Sequence, residues 1–284
     1  MFTPSGISMR VTLAAISLCV LGSVPAAAAP KPLADKSAAP RPSGDLAAWK
    51  KALEGSDEEQ ALAALDAIEH ADDGRAAPLV DSLLSRGASS KVLLRAIAVA
   101  GSLGKEPSSA VLAPYVQHRA AEVRRAAAQS LKRTRGDAAV QALRLALRSN
   151  DAALRGTAAA GLGALGAKEA VPDLFAVLPR ETPEAAGAIG TLCVAAECKK
   201  FLGLLGKLPF DVMQSGFLPL LLRTGSDVTD QTKIELIEQL RRLATKSANE
   251  VLATALASYP ANGSPKVKAA LDAALHGHSV GGDE

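Results

Sequence analysis

Few residues in this chain of 284 could do chemistry. It holds three Cys and four His. Cys193 and Cys198 flank the segment Val-Ala-Ala-Glu, and Cys19 sits in an apolar run near the N-terminus. The C-x4-C spacing is not the C-x-x-C of thioredoxin-like redox sites. The pair reads as a structural disulfide that closes a short turn; two buried free thiols and redox chemistry are the alternatives. Glu69-His70 occurs once, at the end of a helical pattern, where a capping or solvated role is expected. His118 falls at another helix end. His276-Gly-His278 is a pair near the C-terminus, and two histidines alone make a weak metal site. No Ser-His-Asp order, phosphate-cradling Gly loop or paired catalytic carboxylate stands out. No catalytic residue, metal or cofactor is expected.

The elements that would have to position such groups are helical. Residues are 48% hydrophobic and 21% charged, with only 3% aromatic. Ala and Leu dominate, and both are strong helix formers. Eight aromatic residues are too few for most β-sandwiches or aromatic-lined cofactor pockets. The expected class is all-α.

Three segments repeat at a spacing of 31 residues: VLLRAIAVAGSLG from Val92, VRRAAAQSLKRTR from Val123, and LRGTAAAGLGALG from Leu154. Ala96, Ala127 and Ala158 coincide, as do Gly104, Arg135 and Gly166. A second apolar stretch follows each at a constant offset, aligning Leu112, Leu143 and Leu174. Apolar residues at i, i+4 and i+7 or i+8 place one helix face inward. The terminal Gly suits a left-handed residue that ends a helix. One hairpin cannot bury both of its faces, but stacked hairpins share a continuous core. Looser helix pairs are expected at 57–71 with 75–86 and at 182–193 with 197–206. Further helices are expected at 211–223, 228–245, 248–259 and 264–275; the register is open after residue 206, and 228–245 reads as a repeat or a cap.

The pattern V-R-x-x-A-x-x-A-L-G-x-L-G resembles HEAT repeats of the short bacterial type, also called PBS-lyase HEAT-like repeats. Leu154-Arg155, Ala158, Gly161-Leu162-Gly163 and Leu165-Gly166 carry it best, and residues 89–180 carry it most clearly. The resemblance implies an α-solenoid of antiparallel helix pairs over 44–276 whose second helices line a concave surface. It implies macromolecular binding more than catalysis, and fold alone does not fix function. One enzymatic family of this type holds di-iron with His-Glu pairs, and no His-Glu dipeptide occurs in this chain. A bilin lyase needs a Cys, His or Tyr cluster, and none is visible. DNA-repair relatives line their groove with Trp, Tyr and Asp, whereas Trp49 stands alone near the linker.

Charge is unevenly placed. Glu54 to Asp81 holds nine acids against Arg75, and His118 to Arg155 holds nine bases against three acids. HEAT repeats often pair a first-helix Arg with an acid across repeats, so Arg124 and Arg155, at that motif position, are expected to be structural. On the second helix of their repeat, Val140, Leu143 and Leu147 face inward while Gln141, Arg144, Leu145 and Arg148 lie opposite. The 31-residue register aligns Phe175 with Arg144 and Gln117 with Arg148. Gln117, Arg144, Arg148 and Phe175 are the expected binding face, with a merely solvated face as the bland alternative. Nucleic acid is not an expected ligand, because stacking aromatics are missing. An acidic protein suits the charge better.

The N-terminus reads as an export signal. Arg10 precedes the uncharged run VTLAAISLCVLG, and SVPAAAAP follows with an A-x-A exit. That places a signal peptide at 1–28, with Met9 as a candidate true start and cleavage near Ala28. The run is too short to span a membrane comfortably. A Pro/Ala-rich linker at 29–43 and a disordered tail at 277–284 complete the expected organisation. The expectation is therefore a periplasmic or extracellular, non-catalytic protein-binding scaffold. An accessory subunit serving a modifying enzyme and a self-associating envelope component are the alternatives.

Overall fold

The computed structural model describes residues 45–277, so the expected signal peptide, the linker and residues 278–284 of the expected tail lie outside the described residues. Fifteen α-helices and no β-strand occur among the described residues. They form two layers in strict alternation along the chain. The first layer holds α2 (Glu58–Ala71), α4 (Ser90–Leu103), α6 (Ala121–Leu131), α8 (Ala152–Leu165), α10 (Pro183–Leu192), α12 (Phe210–Leu222) and α14 (Lys246–Ala257). The second holds α1 (Leu46–Glu54), α3 (Ala77–Arg86), α5 (Glu106–Leu112), α7 (Asp137–Ala146), α9 (Val171–Val177), α11 (Ala195–Leu202), α13 (Asp230–Leu243) and α15 (Pro265–His276). A 3-10 turn at Ala113–Gln117 prolongs α5. Each first-layer helix packs on the next, and helices of the two layers pair as hairpins. This is an α-solenoid of stacked antiparallel helix pairs.

Local sequence sets the helix ends. Asp45, Asp57 and Asp151 accept backbone N–H bonds in the first turns of α1, α2 and α8. Each satisfies donors that have no intrahelical partner. Pro78, Pro172 and Pro265 stand in the first turns of α3, α9 and α15, where a missing N–H costs nothing. Gly104 and Gly166 close α4 and α8 at φ of +59° and +72°. The aligned position in α6 is Arg135, which resists that conformation. There the helix stops at Leu131, and the left-handed residue shifts to Gly136.

Small residues let the first layer close up. Ser130 on α6 donates to the Ile97 carbonyl on α4 at 2.8 Å, and a Cβ at Gly101 would collide with Ser130. Gly163 on α8 faces the Ala188 backbone. The tightest approach joins α10 to α12. A Cβ at Gly190 would meet the Gly216 carbonyl oxygen, and one at Gly216 would meet the Ala186 carbonyl and the Phe201 ring. Leu and Val from the second layer fill the space between layers, including Leu112, Leu143, Leu147 and Leu174.

Three features depart from the sequence reading or complete it. Trp49, read as near the linker, is buried on α1, which packs against α2 and α3. The helix expected at 228–245 is α13, an internal second-layer member that contacts α11, α12, α14 and α15. Cys193 and Cys198 form a disulfide with Cα atoms 5.3 Å apart, and both residues are fully buried. It ties the end of α10 to the first turn of α11.

Two glycines on one helix give a direct test of the packing. Gly187→Ala meets its nearest neighbours at an ordinary 3.5 Å and gains helix propensity, so the thermal midpoint holds or rises. Gly190→Ala forces two backbones apart and costs about 1–3 kcal/mol. Denaturant unfolding of both variants reads the difference.

Candidate protein-binding face

The repeat spacing brings specific polar groups together between neighbouring repeats. Tyr115 donates to the Leu84 carbonyl at 2.7 Å, 31 residues away. Arg180 donates to the Ser149 carbonyl at 3.0 Å, also 31 residues away. Arg86 reaches the Leu53 carbonyl at 3.0 Å. These bonds sew one repeat to the next, using backbone acceptors that helix ends leave open.

Arg124 and Arg155 belong to this group, but their partners are not the acids expected across repeats. Arg155 is 7% exposed. Its guanidinium donates to the carbonyls of Ser149, Asn150 and Arg180 at 3.1–3.2 Å. Arg124 does the same one repeat earlier, donating to the His118 and Arg119 carbonyls at 2.9 Å. Both side chains fold back over the turn that precedes their own helix. Five fixed donors in a planar fork suit several carbonyls at once, which a single carboxylate would not. The acid pairs between repeats come from other arginines. Arg95 on α4 bridges Asp66 and Glu69 on α2, each at 2.6 Å, and Arg125 pairs with Asp151 at 2.8 Å. The sequence signal was present, since Arg95 lies 29 and 26 residues from these acids.

The four residues read as a face all lie on the second layer or its prolonging turn. Gln117 and Arg148 are exposed. Arg144 is half-buried and donates to Asp173 on α9 at 2.6 Å. It is therefore an inter-repeat tie and not a free cation. Phe175 is half-buried, and the Lys200 ammonium lies 4.3 Å from its ring centroid. A cation over an aromatic face is attracted by the ring quadrupole. Sequence reading missed Lys200, because α11 departs from the 31-residue register. Leu145, 39% exposed, adds an apolar side chain beside Arg144 and Arg148. Ala110, Pro114, Gln141, Pro172 and Ala176 are exposed on the same helices.

Other candidates carry less. His70 ends α2, His118 follows the 3-10 turn, and His276 contacts Asp272 on α15. His278 lies outside the described residues. Among the described residues no cluster of three or more His, Cys, Asp or Glu could hold a metal, and no helix is long and apolar enough to cross a membrane.

With this geometry in view, the chain can be set beside known proteins. A family model described as HEAT repeats matches residues 110–192. These residues are HEAT repeats. No curated protein matches the chain. Among solved structures, the complex of CpcE and CpcF of phycocyanin lyase from Nostoc sp. PCC7120 is similar at 18% identity and a TM-score of 0.46, over 81% of this chain and 100% of that one. An engineered protein is similar at 16% identity and a TM-score of 0.46, over 82% of this chain and 67% of that one. At these values the likeness carries no functional information.

The helical array also holds one poorly satisfied acid. Ser108 donates to Asp81 Oδ2 at 3.0 Å, while Oδ1 is buried without a hydrogen-bond partner. Burial pushes the Asp81 carboxyl above the usual carboxylate range, against the Ser108 bond. A raised folded-state pKa means that ionisation works against folding. That penalty is present at neutral pH and fades as pH falls through the folded-state value.

Three outcomes follow from these contacts. Arg155→Ala leaves buried carbonyls unpaired and costs about 1–3 kcal/mol in denaturant unfolding. Arg144→Ala breaks only a half-exposed pair and costs at most about 1 kcal/mol. Asp81→Asn gains stability over the parent protein at neutral pH, and the gain shrinks on acidification, as thermal melts across pH would show.

Proposed function

We propose that this HEAT-repeat protein is a non-catalytic scaffold that binds a protein partner on the exposed face of its second layer. The observation that supports it most is the group around α7. Leu145, near the end of α7, and Arg148, in the turn that follows it, are both exposed, and the buried face of α7, Ala139, Ala142, Leu143 and Ala146, is fixed in the core. A cation and an apolar anchor at the end of a rigid helix form the kind of preorganised surface that keeps the entropy cost of binding low. Gln117 and Phe175 flank it on the neighbouring repeats.

The array ends speak against the self-associating alternative. Repeat proteins that stack end to end leave an apolar terminal face, whereas capped ones turn a polar face outward. The first helix exposes Lys50, Lys51 and Glu54, and the last exposes Lys266, Lys268 and Asp272.

In this reading the protein is exported. Residues 1–28 act as the signal, with Met9 as the start, and the linker at 29–43 tethers the array. The disulfide suits an oxidising compartment. The partner lies in the periplasm or outside the cell.

The test is crosslinking of the native protein in cells, with mass spectrometry of the products. One dominant partner is expected, lost in Arg148→Glu while the thermal midpoint is unchanged. Products that are insensitive to Arg148→Glu, or self-adducts alone, would sink the reading. The same digest should yield a mature peptide beginning at Ala29; an intact peptide from the 10–28 segment would overturn the export assignment.

A further inference from the structure

We infer that α11 is the second half of the binding face, and that the occupant is an acidic peptide segment with apolar side chains. The inference rests on the scaffold reading and names its partner chemistry. It starts from Phe175 and Lys200. Phe175 occupies the position aligned with Arg144, so an aromatic ring replaces an Arg at the same place one repeat on. Lys200, from α11, covers that ring at 4.3 Å. Lys199 is exposed beside it. Arg148 in the turn after α7, Leu145 on α7 and Ala176 on α9 are also exposed on the second layer.

Two acids on these helices are already engaged, while Glu181 is exposed in the turn after α9. Asp173 is held by Arg144 at 2.6 Å. Glu197 accepts from the Val194 N–H at 3.0 Å and caps the start of α11. Glu106, Asp137 and Glu169 lie at the opposite ends of their elements, near the turns that carry Lys105, Arg135 and Lys168. Arg148, Lys199 and Lys200 therefore remain for a negatively charged ligand. Leu145 and Phe175 give that ligand something to bury. A polyanion without apolar groups would use only half of the face, and complementary charge with an apolar anchor favours a peptide.

The disulfide fixes the start of α11 against the end of α10. Cys198 precedes Lys199 directly, and its bond to Cys193 ties α11 to the end of α10. The Arg223 guanidinium donates to the Cys193 carbonyl at 2.7 Å, and the Ala195 N–H donates to the Asp227 carbonyl at 3.0 Å. The first turn of α11 is thus held from both sides, and Lys200 reaches Phe175 from a fixed base.

The experiment uses the full chain and a labelled amphipathic peptide of Glu and Leu, followed by fluorescence anisotropy. A Lys/Leu peptide, poly-glutamate and phosphatidylglycerol vesicles serve as the other probes. The Glu/Leu peptide is expected to bind, and the other three to bind at least about tenfold more weakly. Lys199→Glu/Lys200→Glu, whose sites are exposed and whose fold is checked by thermal melting, should weaken the peptide by about tenfold. Arg148→Glu should do the same. No binding of the Glu/Leu peptide, equal binding of poly-glutamate, or preferential binding of the vesicles overturns the occupant. Loss in Arg148→Glu with no loss in the α11 variant overturns the role of α11 and leaves the scaffold reading standing. That reading fails separately, when cellular crosslinks ignore Arg148→Glu.

Discussion

Everything in this protein depends on how closely the first-layer helices approach. Gly190 and Gly216 meet where no Cβ fits, and Gly101 lies against Ser130 in the same way. Close approach fixes the spacing of the repeats, and the spacing fixes which polar groups meet. The Tyr115–Leu84 and Arg180–Ser149 bonds each span 31 residues because the layers advance by one hairpin per 31 residues. Without tight packing those donors would face empty space, and the carbonyls at the turns would lose their partners. Small residues thus do more than fill the core. They set the register in which the second layer displays its outer side chains.

The outer side chains then divide by what they touch. Arg124 and Arg155 are consumed by turn carbonyls, Arg125 and Arg144 by carboxylates on the next repeat. Arg148 is exposed in the turn after α7. Within the basic stretch from His118 to Arg155, only Arg125 and Arg144 are neutralised by carboxylates, while Arg124 and Arg155 keep their charge against carbonyls. Arg148 is the exposed cation of this stretch that lies next to Leu145. A small set of cations next to apolar anchors favours selective recognition over general attraction to anions. The poorly solvated Asp81 shows the other side of the same packing, where a carboxyl was buried with one hydrogen bond too few.

Much of the fold was legible in the sequence. The 31-residue alignment located the helices around Ala96, Ala127 and Ala158, and Pro and Gly punctuation located those after residue 206. The helix Leu46–Glu54 around Trp49 was not among those expected, because nine residues beside a Pro-rich stretch carry little periodicity. Side-chain partners were harder to read. The motif position of Arg124 and Arg155 indicated structure, but not that the acceptors were carbonyls, since backbone oxygens leave no trace in composition. Arg144 looked free because Asp173 belongs to a different helix. Lys200 was invisible for another reason: α10 and α11 shorten the repeat, and the register that aligned Phe175 with Arg144 stops before reaching α11.

The proposed recognition surface is the second layer at α7. Site-specific photocrosslinking in cells tests it most directly, with the probe placed at Leu145 in one strain and at Gln129, exposed on first-layer α6, in another. The account predicts adducts with a different protein from position 145 and none from position 129. Adducts from 129 alone, or only with other copies of this chain, would contradict it.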